Sequence, residues 1–137
     1  MFGLTVSHTE GHAMSDIGAS RLPEVLAAGR IALGIASLLA PRGFARAVGV
    51  AEPSAELAYL TRIYGARAIA MGAGYLTSQP LERRRWKRLS LAVDISDTVT
   101  GLAHLVRRDA PVRAIGSMVA LTGGYAAVGA AHLTGER

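Results

Sequence analysis

The stretch AIGSMVALTGGYAAVGAAHL, residues 114–133, decides the fold. It holds no Asp, Glu, Lys or Arg, and apart from Ser117, Thr122 and groups at its ends it offers no polar face. A helix on the surface of a soluble bundle needs a broad polar face opposite its apolar stripe. This one lacks that face and has the length to cross a bilayer core, for which about 20 apolar residues suffice. The stretch therefore reads as a membrane span.

Three further segments of spanning length precede it: residues 22–40 (LPEVLAAGRIALGIASLLA), 57–77 (LAYLTRIYGARAIAMGAGYLT) and 89–106 (LSLAVDISDTVTGLAHLV). The last span covers 112–133. Pro23, Pro41, Pro53, Pro80 and Pro111 fall at the edges of these segments, where a missing N–H is tolerated and the ring starts or stops a helix. Half of the 137 residues are hydrophobic and only 18 % are charged, against about 25 % in soluble domains. The mean hydropathy of +0.30 and a pI near 10.4 exclude an acidic or disordered solvating chain. The prediction is an all-α, integral membrane four-helix up-down bundle over residues 21–137. Residues 1–20 are polar and aperiodic and read as a mobile tail, with Met14 as an alternative start. Arg30 inside the first apolar stretch, and Pro41 directly after Ala40, argue against a cleaved signal peptide.

Loop charges set the expected orientation. With the N-terminus inside, the cytoplasmic side carries Arg21, Arg83, Arg84, Arg85, Lys87, Arg88 and Arg137, against Arg42, Arg46, Arg107, Arg108 and Arg113 opposite. Both termini are then cytoplasmic, in a multi-pass protein of the inner (cell) membrane. Within that run Arg83, Arg84, Arg85, Trp86, Lys87 and Arg88 read as lipid head-group contacts, with Trp86 as an interfacial aromatic. No second basic or aromatic element supports nucleic acid as a partner.

Five charges lie inside spans: Arg30, Arg62, Arg67, Asp94 and Asp97. A central Arg or Asp costs ~2.5–3.5 kcal/mol to insert, while a Leu or Ile returns only ~0.3–0.6 kcal/mol. The second segment, with two arginines, needs opposite charges on its neighbours. Asp94, Asp97, Gly101 and His104 follow i, i+3, i+7, i+10 and share one face of the third. Depth counting, with the intervening loop centred near residue 82, pairs Arg67 with Asp97 and Arg30 with Asp94. Arg62 is left near Gly101 and His104 with no obvious carboxylate partner on the third segment; Tyr59, Tyr64 and Glu56 are its local candidates, and an anionic ligand is the alternative. Two sets of small residues at i, i+4, i+8 offer close helix packing, within the bundle or between copies: Ala66, Ala70 and Gly74, and Gly116, Ala120 and Gly124.

No catalytic motif emerges, so no enzyme activity, metal or cofactor is expected. The chain has no cysteine, which excludes thiol chemistry and Cys-type metal sites. His8, Glu10 and His12 make at most half a metal site in the tail. GAGYLT lacks the context of a dinucleotide fingerprint, and no nucleophile elbow or phosphate loop is present. His104 and His132 fall toward opposite ends of a bundle, unsuited to clamping a haem.

Over residues 22–133 the layout resembles a group of small bacterial four-helix membrane proteins known only as a domain of unknown function. YGARAIAMG, with Gly65, Arg67 and Gly72, and the pair Asp94 and Asp97 carry the likeness. The resemblance implies fold and location but no activity. The functional expectation is a structural or accessory subunit, or a homo-oligomer, whose partners are the bilayer and a larger membrane complex or its own copies. The alternative is a transporter or binding protein for an anionic or lipid-like ligand that uses the intramembrane Arg and Asp residues.

Overall fold

The computed structural model describes the backbone of residues 10–135 and the side chains of residues 21–135. The chain is all-helical there: α1 (Glu10–Leu39), α2 (Pro41–Ala47), α3 (Ala55–Thr77), α4 (Pro80–Arg107) and α5 (Val112–Gly135). Three stretches are long and apolar enough to cross a membrane, Arg21–Leu39, Pro80–Arg107 and Val112–Gly135. The 23 residues of α3 have the length, but Arg62 and Arg67 lower its hydropathy, and it does not join them.

Helix boundaries differ from the sequence reading in three places. α1 begins at Glu10, so residues 10–20, expected to be a mobile tail, are helical. Extending an existing helix needs no new nucleus, and this lowers the cost of the added turns. Pro23 consequently lies inside α1 rather than at its edge, and removes one rung of its hydrogen-bond ladder. Residues 1–9, and with them His8, lie outside the described residues. α4 begins at Pro80 instead of residue 89, which places the basic run on its first turns. Pro at the first helical position, Glu82 beside the positive helix end and the good helix-former arginine explain the extension.

The third difference is α2, a short helix opened by Pro41 where only a loop was expected. Gly49 ends the turn behind it with φ 109°, a backbone that favours glycine. A Cβ at Gly49 would stand 3.1 Å from Arg113 Cβ, so this loop sits on the start of α5. α3 then opens on Ser54, whose Oγ accepts from the Leu57 N–H at 3.1 Å. Backbone N–H at this helix start and the Ser54 hydroxyl hold exposed Glu56 below the usual carboxylate range.

α1 packs antiparallel on α3, and α4 antiparallel on α5. In the first pair the backbones nearly touch: a Cβ on either Gly34 or Gly65 would lie 2.6 Å from the other's carbonyl oxygen, and one on Gly72 would lie 2.5 Å from that of Ala27. The hydroxyls buried there satisfy themselves along their own helices, Ser37 donating to Leu33 O at 2.8 Å and Thr61 to Leu57 O at 2.7 Å. In the second pair Gly101 lies under Val119 and Gly129 under Leu91, while the hydroxyl oxygens of Thr98 and Thr122 stand 3.0 Å apart.

The two small-residue sets, read as packing within the bundle or between copies, do not make the helix contacts within the molecule. Ala66, Ala70, Ala120 and Gly124 are exposed, and Cβ atoms at Gly116 and Gly124 would meet nothing within 4 Å. Gly74 instead seats the Trp86 ring, 2.5 Å from where its Cβ would be. The stripe that α3 uses is Ala58, Thr61, Gly65, Ala68 and Gly72, on the neighbouring face of the same helix. Large apolar side chains ring the outside, with Val25, Leu39, Tyr59, Leu60, Val99 and Val106 more than half exposed.

The glycine crossing makes a direct prediction. Gly65→Ala should lower stability by ~1–3 kcal/mol, the usual cost of overpacking, read as a lower unfolding midpoint in detergent. Gly124→Ala should leave the midpoint where it is. Equal shifts in both variants would mean that α1 and α3 do not meet at Gly34 and Gly65.

Candidate functional site

The two helix pairs meet along a polar seam, and three ion pairs cross it. Arg30 on α1 donates to Asp94 on α4, with side chains 14 % and 4 % exposed. Arg67 on α3 donates to Asp97 at 2.5 Å, with side chains 44 % and 28 % exposed. These are the pairings that face and depth led to, although the α3–α4 turn lies at Ser78 and Gln79 and not near residue 82. The third was not foreseen: Arg83 reaches from α4 to Glu24 on α1 at 3.5 Å.

Each of these arginines also lies over a tyrosine ring. Arg30 stands 4.3 Å from the centroid of Tyr125, Arg67 5.8 Å from that of Tyr64, and Arg83 5.5 Å from that of Tyr75. The ring face is negative and complements the cation where the carboxylate leaves it open. The seam is thus a column of three arginine–carboxylate–tyrosine units. Sequence reasoning offered Tyr64 to Arg62 rather than to Arg67, and missed Tyr75 and Tyr125. Tyr125, the sole aromatic in α5, was the available signal.

The other candidate residues fall elsewhere. Arg83 turns toward α1, its Nε also donating to Ser78 O at 3.3 Å, and so ties the α3–α4 turn. Arg84, Arg85 and Arg88 are exposed and Trp86 is half-buried. His104 lies near the end of α4, its Nδ1 2.7 Å from Asp109 Oδ1. Arg62 is exposed and lines none of the seam's cavities, so its expected place beside Gly101 and His104 is corrected. The buried face of α3 runs through Thr61 and Gly65, and residue 62 is turned about 100° from the first of these.

The seam is wide at both ends and narrow between. At the end near α2, a cavity of about 290 Å³ reaches Arg67, Asp97, Thr100 and His104. Around the two central ion pairs only about 10 Å³ remains, roughly the space of one water. Toward the α3–α4 turn a recess of about 60 Å³ leads from Arg30 and Asp94 past Leu26, Met71 and Leu91. It adjoins a vestibule of about 460 Å³ lined by Glu24, Arg83, Arg84, Lys87 and His132. Such a seam can hold charged or polar groups at its ends, but no open path runs through its waist. Among the described residues no group of three His, Asp or Glu side chains stands close enough to hold a metal ion, and the His8–Glu10–His12 group lies outside the described side chains.

The class defined so far is a small all-helical protein with three helices apolar enough to span a membrane and charges sequestered between them. No family model matches the chain, and neither curated proteins nor solved structures provide a match to it. The resemblance to small bacterial four-helix membrane proteins therefore rests on Gly65, Arg67, Gly72, Asp94 and Asp97 alone.

The two central pairs should differ in mutational cost. Removing one partner of a buried pair typically costs ~3–5 kcal/mol, because a charge is left uncompensated. Asp94→Asn should therefore destabilise strongly and Asp97→Asn less, since the second pair is more exposed. Adding Arg30→Gln to Asp94→Asn should recover part of the loss in a thermal-unfolding double-mutant cycle. Additivity within ~0.5 kcal/mol would show that the two residues are not coupled.

Proposed function

We propose that the chain is a multi-pass protein of the cell membrane in which α1, α3, α4 and α5 cross as a four-helix up-down bundle. Both termini lie on the cytoplasmic side, and the Arg–Asp network holds the bundle together. Its role in this reading is that of a structural or accessory subunit, or of a homo-oligomer. The observation that carries it is the pairing of Arg30 and Arg67, from two different helices, with two carboxylates of α4. Inserting α3 alone is disfavoured by its arginines. Beside α4 the charge of Arg67 is met, as charges inside membranes generally are.

Two features support the outer surface as a contact for lipid and for other chains. The exposed apolar side chains suit hydrocarbon better than water. The outward Ala66, Ala70, Ala120 and Gly124 would let another helix approach closely. Arg62, facing outward in the second turn of α3, is near enough to the helix end for its long side chain to reach the head-group layer.

The cavities at the two ends of the seam favour a second reading, binding of an anionic or lipid-like ligand, whereas transport would require the waist to open. The cavity near α2 reaches Asp97, while the closed waist separates it from the vestibule at the other end.

Because the chain has no cysteine, single cysteines report topology without background. In intact cells a membrane-impermeant maleimide should label Glu52→Cys, and should label Arg85→Cys only after permeabilisation. The protein should also stay in the membrane fraction after an alkaline wash. Release by that wash, or the reverse labelling pattern, defeats the placement. Gentle detergent extraction should yield a stoichiometric complex or homo-oligomer, and a lone monomer would count against the subunit role.

A further inference from the structure

The three ion pairs of the seam differ in the space around them. Arg30 and Asp94 are hemmed in at the waist, where about 10 Å³ remains. Beside Arg83, the second oxygen of Glu24 is buried and closed to any ligand. Arg67 and Asp97 instead line the cavity of about 290 Å³ at the α2 end, close to the lower limit of about 300 Å³ for small-molecule pockets. Thr100 lies beside them, and Ile115, Met118 and Val119 of α5 give the same cavity an apolar lining. His104 reaches it as well, with its Nδ1 taken up by Asp109 Oδ1 at 2.7 Å.

A single hydrogen bond joins the pair, from Arg67 Nη2 to Asp97 Oδ2. A guanidinium carries five N–H donors, and arginine–carboxylate pairs often close as a fork of two parallel bonds. Here the fork is half made. The remaining N–H groups of Arg67 have no acceptor among the described residues. Asp97 Oδ1 has no donor among them either, and it is not buried, so it keeps accessible surface. A donor and an acceptor are thus left over on two groups whose charges cancel. A simple anion gains the guanidinium but meets the carboxylate next to it, and a simple cation meets the reverse. A neutral group with an acceptor and a donor on neighbouring atoms completes both partners without adding charge.

We propose that the cavity at the α2 end binds a small apolar molecule carrying a neutral carboxamide. Its C=O accepts from Arg67, its N–H donates to Asp97 Oδ1, and its apolar part lies against Ile115, Met118 and Val119. The proposal rests on the second reading above in treating the cavity as a binding site, and within that reading it selects a neutral ligand over an anionic one because Arg67 is already compensated. Groups that must both be satisfied reject analogues that satisfy only one, which is a source of specificity that the apolar lining lacks.

The test uses the full-length protein in an uncharged detergent with ¹³C-labelled methionine methyls. Met118 reports on the cavity and Met71 on the waist. Benzamide, methyl benzoate, benzoate and benzylammonium share one ring and differ in hydrogen-bonding group and charge. Benzamide should shift the Met118 methyl signal saturably, and the other three should bind about fivefold or more weakly, the effect of one lost hydrogen bond. Asp97→Asn leaves Arg67 uncompensated and should turn the preference toward benzoate, while Arg67→Gln should turn it toward benzylammonium. Ile115→Phe reduces the space with both charges in place and should weaken benzamide. Trp86 is the sole tryptophan, and a cooperative unfolding transition in its fluorescence shows that a variant is folded. The apolar double variant Arg67→Met, Asp97→Leu leaves no charge unpaired and should bind benzamide no better than methyl benzoate, which keeps the test decisive if a single variant does not fold. Binding of methyl benzoate or either ion as tightly as benzamide, or a benzamide preference that survives the double variant, overturns the proposal. Benzoate binding best would overturn the amide and spare the wider reading of the cavity as a binding site, whereas a Met118 signal that no probe shifts defeats both.

Discussion

The structure depends on the meeting of Arg30 with Asp94. A guanidinium and a carboxylate that are both largely hidden from solvent are held there only if each compensates the other, because desolvation costs several kcal/mol per ion. Within each helix pair, contact is made by glycine, alanine and self-satisfied hydroxyls. Such surfaces let backbones approach but do not select what covers the pair as a whole. The ion pairs supply that selection. They fix which face of α4 meets α1 and α3 and at what height, a register role that buried charges serve better than they serve net stability. The tyrosines extend the logic, since the ring of Tyr125 brings α5 to the same guanidinium that α4 holds. One arginine on α1 thereby ties both helices of the other pair.

The ion pairs were legible because they follow from two facts a sequence contains. Helical spacing puts Asp94 and Asp97 on one face, and an arginine turned inward from an apolar stretch calls for a carboxylate at its own depth. The small-residue stripe was not legible, for an equally physical reason. In YGARAIAMGAG almost every turn of the helix carries a glycine or alanine on more than one face. Spacing alone therefore permits Ala66–Ala70–Gly74 and Gly65–Ala68–Gly72 alike. What decides is the partner surface, Gly34 and Ala27 on α1, and that information is tertiary. Placing Arg62 failed with the stripe, because shifting the buried face by one residue turns that side chain out of the seam.

The basic run shows a different kind of miss. Its charge marks it as a surface element, and Arg84, Arg85 and Arg88 are indeed exposed. Charge, however, says nothing about whether such a run is loop or helix. Pro80 at the first helical position and a set of good helix formers make it helix, and helical geometry then points Arg83 and Trp86 back toward the molecule while their neighbours face out. α2 was hidden by its brevity, since seven residues leave too little periodicity to read.

Charge pairing and free space are distributed unevenly along the seam. At the α2 end, Arg67 is matched by Asp97, and His104 Nδ1 lies within hydrogen-bond reach of Asp109. At the waist Arg30 and Asp94 compensate each other, and the space left around them is about that of one water. At the α3–α4 end an open volume is lined by Glu24, Arg83, Arg84, Lys87 and His132. The two central pairs thus join the helix pairs at the waist, where almost no space is left, while the seam stays open at its ends.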